Sequence, residues 1–136
     1  MKVMCIKNLA KDLDLNEVKN IFVPQQHYGL IIGREYLVMG MVIYKDSNCL
    51  HYLIDNDGSP NWYPYMLFEI TNKKLPSNWY VDVLGKGGDG NLHTLIGFKE
   101  LCLDDDYHDA LIAERDQGAL QTYFKRKEEL FYDYFD

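Results

Sequence analysis

Four aspartates and one histidine are crowded into positions 104–109, close to the C-terminal end of the chain. They are Asp104, Asp105, Asp106, His108 and Asp109. So many oxygen atoms could hold a divalent cation, but a calcium loop needs alternate acidic positions, a central glycine and a closing glutamate. The spacing here differs, and two interpretations without a metal stay open: capping of a helix, or an acidic patch that binds a protein. We predict no metal ligands.

Asp55 and Asp57 are a second set of closely spaced carboxylates. Two carboxylates on one face of a strand could do acid–base chemistry, because alternate residues of a strand share a face. Asn56, Gly58 and Pro60 instead predict a turn that ends the strand before this point. We therefore predict no catalytic residue here, and we assign both aspartates to a binding surface.

Neither the cysteines nor the glycine-rich loop of this chain indicates a cofactor. Cys5, Cys49 and Cys102 are odd in number and far apart, which argues against disulfides and against a zinc cage. A thiol placed beside a histidine remains the catalytic alternative. The loop Gly85–Gly90 exposes backbone N–H groups, but phosphate-binding loops open a helix, whereas this loop joins two predicted strands. We predict buried cysteines, a flexible hairpin connection and no cofactor.

An aromatic group with acidic neighbours is a further candidate for a binding surface. Its members are Tyr52, Trp62, Tyr63, Tyr65 and Trp79. Tyrosine and tryptophan are enriched at interface hot spots, and aromatic grooves of small barrels accept peptides. The alternative is that most of these rings fill the core. Because Trp62 and Tyr63 follow a predicted turn, we expect these two to be partly exposed.

The charge of the chain limits the class of partner. The 136 residues carry a net charge of -7, and positions 91–136 hold five Lys/Arg against eleven Asp/Glu, which is -6 of that total. An acidic surface repels phosphate backbones, so we predict no nucleic-acid partner and expect a basic protein instead. The sequence shows neither a long apolar run nor a basic start followed by a short apolar stretch, so we expect neither a membrane span nor a secretory leader. We predict a cytoplasmic protein without membrane contact, and its oligomeric state stays open.

Hydrophobic periodicity predicts one α+β domain with helices at both ends. The predicted parts are a helical segment over 1–24, a β core over 28–98 and helices over 104–135. In the first part, Asp14 and Glu17 form a capping-box pattern for a helix from Leu15 to about Phe22. The first ten residues alone fit a helix or a strand.

The β core is predicted to be antiparallel. Glu35–Tyr44 and Leu50–Ile54 flank turn residues and predict a hairpin. Pro64 places the next strand at a sheet edge or ends it. At the C-terminal end, Asp106 and Asp116 are expected to cap two helices that form a helical hairpin.

Three segments of the β core resemble an SH3-like small barrel. Gly33, Tyr36 and Val38 follow the pattern Gly-x-x-Tyr-x-Val, a strand ends at the aspartates 55 and 57, and Trp62–Ile70 is Trp-Tyr-Pro-x-x-Leu-Phe-Glu-Ile. The resemblance implies an antiparallel barrel or a strongly bent sheet. It also implies one helical turn, Pro64 to Met66, before the last strand.

The overall layout, with Leu75, Pro76, Trp79 and a helical tail, resembles bacterial immunity proteins of the polymorphic-toxin and contact-dependent inhibition type. The resemblance implies a protein that is not an enzyme and that neutralises a basic toxin domain, with a nuclease as the expected toxin. The alternative is a regulatory or adaptor module that binds a peptide or small ligand through the aromatic groove. The expected partner-binding residues are Asp55, Asp57, Trp62, Tyr63, Asp104, Asp105, Asp106, Asp109, Glu114 and Asp116.

Overall fold

The chain starts with a strand, so the expectation of a helical segment from residue 1 is wrong. In the computed structural model, Lys2–Cys5 form strand β1, in which Val3 and Cys5 are fully buried while Lys2 and Met4 are half-buried. This alternation matches the two-residue period of a strand. The structure describes residues 1–9, 12–13, 27–46, 49–87 and 90–135, so the predicted helix from Leu15 to Phe22 lies outside the described residues.

After β1, the chain forms seven further strands among its described residues and then three α-helices. The strands are β2 (Glu35–Leu37), β3 (Gly40–Tyr44), β4 (Leu50–Asn56), β5 (Ser59–Pro64), β6 (Phe68–Asn72), β7 (Tyr80–Val83) and β8 (Leu92–Gly97). A short 3₁₀ helix, Tyr65–Leu67, precedes β6. The helices are α1 (Lys99–Leu103), α2 (Tyr107–Ile112) and α3 (Gln117–Phe135).

The strands form two antiparallel sheets, and those described do not close into a barrel. One sheet has the order β2-β1-β6, and the other has the order β5-β4-β3-β8-β7. The chain passes from one sheet to the other between Val38 and Met39. The N–H of Val38 donates to the carbonyl of Met1, next to β1, and the N–H of Met39 donates to the carbonyl of Leu53 in β4. The prediction of one strand over Glu35–Tyr44 is therefore wrong: β2 and β3 take different partners. An α+β protein with antiparallel sheets is confirmed, and the SH3-like barrel is not.

The central hairpins confirm the local sequence signals. β3 pairs with β4, and β4 runs on to Asn56, which pairs with Ser59 across a turn of only two residues. Both turn residues, Asp57 and Gly58, have positive φ angles of 51° and 87°, which is the requirement of a type I′ hairpin turn. The predicted turn is therefore present but shorter than expected. Pro64 ends the edge strand β5, as predicted, and the helical turn after it is the 3₁₀ helix.

The five-stranded sheet has a core on each face because its side chains alternate. On one face Met41, Tyr52 and Ile54 pack with Val3 and Tyr36 of the smaller sheet. On the other face the sheet packs against the helices, with Met39, Leu53, Phe98, Leu101, Tyr107, Leu111 and Tyr123 in one cluster. The five-stranded sheet thus lies between the three-stranded sheet and the helices.

Two glycines let α1 pack directly on the sheet. Gly40 and Gly97 lie opposite each other in β3 and β8. A Cβ atom added at Gly40 would lie 2.7 Å from Cδ2 of Leu101, and one added at Gly97 would lie 2.8 Å from the same atom. Larger residues at these positions would therefore push α1 off the sheet.

The helices are joined to one another by polar contacts. Arg126 of α3 donates to both carboxylate oxygens of Glu100 in α1, at 2.8 and 2.7 Å. Such bidentate pairing is the strongest arrangement of these two groups. Asp116 accepts a 3.0 Å hydrogen bond from the N–H of Ala119 and so caps α3, as predicted. Among the described residues, no helix has the length and apolar character needed to cross a membrane.

His51, which is 5% exposed in β4, makes the fold sensitive to acid. Burial lowers its pKa from 6.5 to about 4, although its Nδ1–H donates to the carbonyl of Cys49. Because the unfolded chain takes up this proton first, the stability that neutral His51 contributes is present above pH 6.5 and is lost as the pH falls towards 4. We expect a loss of about 3 kcal/mol across this window. Urea unfolding at a series of pH values measures it.

The variant His51→Phe is the matched control for this titration, because phenylalanine retains an aromatic ring beside Tyr44 but has no proton to bind. Its free energy of unfolding should change much less between pH 6.5 and 5. Equal pH slopes for the variant and the wild type would contradict the assignment to His51.

Candidate functional site: an acidic groove

A groove of about 770 Å³ lies between the β7–β8 end of the five-stranded sheet and the helices α1 and α2. Its volume is within the range of ordinary ligand pockets. Four aspartates and no lysine or arginine are among the described residues that line it. The lining consists of Tyr44, Asp82, Leu84, Gly90, Asn91, Leu92, Leu95, Leu101, Cys102, Asp104, Asp105, His108 and Asp109.

The four carboxylates of the acidic groove come from two walls. Asp82 is half-buried in β7, opposite Leu95 of β8, and Asp104, Asp105 and Asp109 are exposed on the α1–α2 side. Within the described part of the chain, Asp82 and Asp105 have no ion-pair partner. A cleft lined by charges of one sign concentrates the field of those charges. The groove is therefore suited to cationic groups.

The connection from α1 to α2 sets the shape of the helical wall. The Oδ1 atom of Asp104 accepts a 3.0 Å hydrogen bond from the N–H of Asp106. The side chain of Asp106 itself makes no capping hydrogen bond to α2. The predicted cap at Asp106 is therefore wrong: the backbone of Asp106 has helical angles, φ -92° and ψ -12°, and not the extended angles of a capping residue.

A hydrogen bond between Trp62 in β5 and His108 in α2 connects the helical wall of the groove to the five-stranded sheet. Nε1–H of Trp62 donates to Nε2 of His108 at 2.9 Å, and the two rings are nearly parallel, with centroids 5.9 Å apart. Because an indole nitrogen can only donate, Nε2 of His108 must be the acceptor and the ring proton lies on Nδ1. That nitrogen lies 3.4 Å from a carboxylate oxygen of Asp109. Trp62 therefore positions His108 and, through it, the groove face of α2.

The remaining polar groups of the groove are held in their neutral forms. Burial, together with the charge of Asp82, raises the pKa of the Cys102 thiol to about 11. The thiol donates a hydrogen bond to the carbonyl oxygen of Tyr80, with Sγ and the oxygen 3.4 Å apart. Burial raises the pKa of Tyr44 to about 12. A protonated thiol is a poor nucleophile, so the groove offers carboxylates for binding and no activated thiol.

Comparison of the sequence with protein-family models and with curated proteins finds no match, and comparison of the fold with solved structures finds none either.

Within the described residues, no three Asp, Glu, His or Cys side chains lie close enough together to hold a metal ion. Cys49 is buried, and its Sγ donates to the carbonyl of Leu50 at 3.5 Å. His51 donates to the backbone carbonyl of Cys49, and its ring packs edge-on to that of Tyr44.

The acidic residues predicted to bind a partner do not all meet in one place. Asp104, Asp105 and Asp109 line the acidic groove. Asp106, Glu114 and Asp116 are exposed but lie outside its lining. Asp57 is exposed at the tip of the β4–β5 turn, 3.9 Å from Arg34.

Asp55 is enclosed within the fold. Its carboxylate is 9% exposed, and it accepts hydrogen bonds from Lys127 at 2.7 Å and from the hydroxyl of Tyr123 at 3.1 Å. These donors come from α3, about seventy positions along the chain. The carboxylate joins α3 to the sheet, and it borders a second surface groove together with Asp57 and Lys127. A partner at Asp55 would compete with these two contacts.

Of the aromatic group, Tyr52 and Tyr63 are buried in the core, Trp62 and Trp79 are half-buried, and Tyr65 is exposed. Tyr63 is only 6% exposed, so the expectation that it is partly exposed is wrong: its ring packs edge-on to Phe68 inside the core between the sheets. Tyr52 is 4% exposed in the same cluster. Trp62 is half-buried, as expected, but its indole N–H is already bonded to His108. These rings do not form an open aromatic groove.

Tyr44, Asp82 and His108 are among the residues of the acidic groove that were not predicted as binding residues. Asp82 lies between two valines in a predicted strand, and this polar residue among apolar neighbours was the available signal. Alternation places it on the face opposite to Val81 and Val83. Only the fold brings that face against the 104–109 cluster.

Proposed function

We propose that this protein is an acidic immunity protein that binds a basic toxin domain through the acidic groove. The observation that carries the proposal is the set of four carboxylates around one groove with no cation in its described lining. In this function, lysine and arginine side chains that the toxin uses on phosphate groups pair with Asp82, Asp104, Asp105 and Asp109. A toxin bound in this way cannot reach its nucleic-acid substrate.

The apolar part of the groove favours lysine and arginine side chains of a protein, and not free metal ions, as the cations that bind there. Leu84, Leu92 and Leu95 lie in the same lining as the carboxylates. Lysine and arginine bury their aliphatic stems on apolar surface while their charged ends stay solvated or paired. A surface with both features matches such side chains better than it matches a bare metal ion.

The exposed positions of the carboxylates support fast binding. Asp105 is exposed, and the side chain of Asp109 is 80% exposed, so their field extends into solvent. Complementary charge on two surfaces raises the rate of encounter and suppresses wrong partners. Both properties suit a protein that must capture a toxin before the toxin acts.

The experiment that tests this function is growth protection in a bacterial host. A basic toxin domain sought in the gene next to that for this chain is expressed together with the wild-type chain or with Asp105→Lys plus Asp109→Lys; a neighbouring gene without such a domain counts against the proposal. The control variant, Glu69→Lys plus Glu128→Lys, changes the net charge equally at two exposed positions outside the groove. We expect protection by the wild type and by the control, and loss of protection by the groove variant. Full protection by the groove variant would overturn the proposal.

A further inference from the structure

Strand β7 is an open edge beside the acidic groove. It is the last strand of the five-stranded sheet, and no described strand pairs with its outer side. The opposite edge, β5, is blocked: it ends at Pro64, and Arg115 donates to the carbonyl of Pro60 and, at 2.6 Å, to Oδ1 of Asn61. Natural sheets cover or interrupt their edges because an open edge is a template for another strand.

The hydrogen-bonding groups of β7 that face outwards can be identified. The N–H of Leu84 donates to the carbonyl of His93 at 2.8 Å, and the register of the pair continues along Asp82–Leu95 and Tyr80–Gly97. In an antiparallel pair, alternate residues direct their N–H and C=O groups to the same neighbour. Val81 and Val83 therefore direct theirs away from β8, towards the free edge.

The two faces of β7 differ in chemistry. Asp82 lines the acidic groove on one face. Val81 and Val83 are 62% and 65% exposed, and by alternation they lie on the opposite face. A strand placed alongside β7 would have every second side chain beside the carboxylates and the others beside the valines.

We propose that the basic partner binds by adding an extended segment, with alternating cationic and apolar residues, to the free edge of β7. The inference rests on the proposed function and specifies how the partner binds. Backbone hydrogen bonds to Val81 and Val83 supply affinity, and the alternation of side chains supplies specificity, as in other strand-addition complexes. The cationic residues meet Asp82 and Asp105 on the groove side, and the apolar residues cover the valines.

Charge argues against a second copy of this chain as the occupant of the edge. Two β7 strands paired antiparallel about a twofold axis would place their groove faces side by side. Asp82 and the other groove carboxylates of the two copies would then be neighbours, and like charges opposite each other destabilise a sheet. A basic segment places opposite charges there instead.

Two peptides of the same composition test the proposal. In one, lysine and valine alternate over about six residues, the length of an ordinary strand; in the other, the lysines and the valines form two blocks. We expect the alternating peptide to bind about tenfold more tightly and to slow amide hydrogen exchange at Val81 and Val83. Titration calorimetry and exchange measured by NMR report the two effects.

The variant Val81→Pro removes one outward N–H, and an edge strand tolerates proline where the N–H faces solvent. Val81→Thr is the matched control because it is β-branched and keeps the N–H. We expect the proline variant to lose the preference for the alternating peptide and the threonine variant to keep it. Equal affinity for the two peptides, or a dimer of the free protein with protected β7 amides, would overturn strand addition. Growth protection by the wild type and its loss in the groove variant would still support the proposed function in that case.

Discussion

Reversing the charge of two exposed aspartates in the acidic groove, Asp105→Lys with Asp109→Lys, is expected to slow association with the basic toxin domain by about tenfold or more at low salt. The change removes two negative charges and adds two positive ones in the same cleft. Two negative groove residues, Asp82 and Asp104, then face two lysines, so the net charge of the four positions is cancelled and the steering field of the groove is largely lost. Stopped-flow or surface-based kinetics at low ionic strength measures the association rate.

The salt dependence of the association rate shows whether the variant binds slowly because electrostatic steering is lost or because its fold is damaged. The difference between the variant and the wild type should shrink as ionic strength rises to about 1 M, where the screening length falls to about 3 Å. Glu69→Lys with Glu128→Lys has the same net charge and should retain an association rate close to that of the wild type. If the control and the groove variant were slowed equally, net charge and not the acidic groove would explain the effect.

Truncating Trp62 to alanine is expected to destabilise the protein by about 3 to 4 kcal/mol. The indole is half-buried between the sheet and the helices, where it packs with two of the hydrophobic clusters. Its loss also removes the only hydrogen bond described for Nε2 of His108 and loosens α2 from the sheet. Chemical unfolding gives the change in the free energy of unfolding.

The variant Trp62→Phe retains a ring but not the indole N–H, and we expect it to cost roughly 1 to 2 kcal/mol. Trp62 does not line the acidic groove, so both variants should weaken toxin binding only indirectly, by displacing α2. A Trp62→Ala protein with an unchanged melting temperature and a much faster dissociation rate would show that Trp62 is an interface anchor instead.

The local part of the fold could be predicted from the sequence. The turn Asp57–Gly58 and the β-branched and aromatic residues around it predict the central hairpins, because a type I′ turn and a strand have local signatures. Asp116 predicts the start of α3 for the same reason. These features depend on residues only a few positions apart.

The choice of strand partners could not be predicted in this way. Glu35–Tyr44 has a continuous strand pattern, and nothing in it marks the change of sheet between Val38 and Met39. β1 has only four residues, too few to show a period. The helix α1 has five residues and no capping side chain at Phe98, so its start has no sequence signal.

The candidate site was predicted in part for a related reason. The 104–109 cluster is visible as a run of acids, and three of its aspartates do line the acidic groove. Asp55 has the same chemistry, but Lys127 and Tyr123 enclose it through contacts of long sequence separation. Burial depends on such contacts, so the sequence alone does not distinguish an acid that binds a partner from one that joins two elements.

Hydrogen–deuterium exchange of the chain with and without the basic toxin domain locates the contact surface without a mutation. We expect slower exchange on binding in residues 80–84 and 101–109, the two walls of the acidic groove. We expect little change in the β2-β1-β6 sheet, on the far side of the five-stranded sheet. Protection confined to that smaller sheet, with the walls of the groove unaltered, would show that the toxin does not bind in the acidic groove.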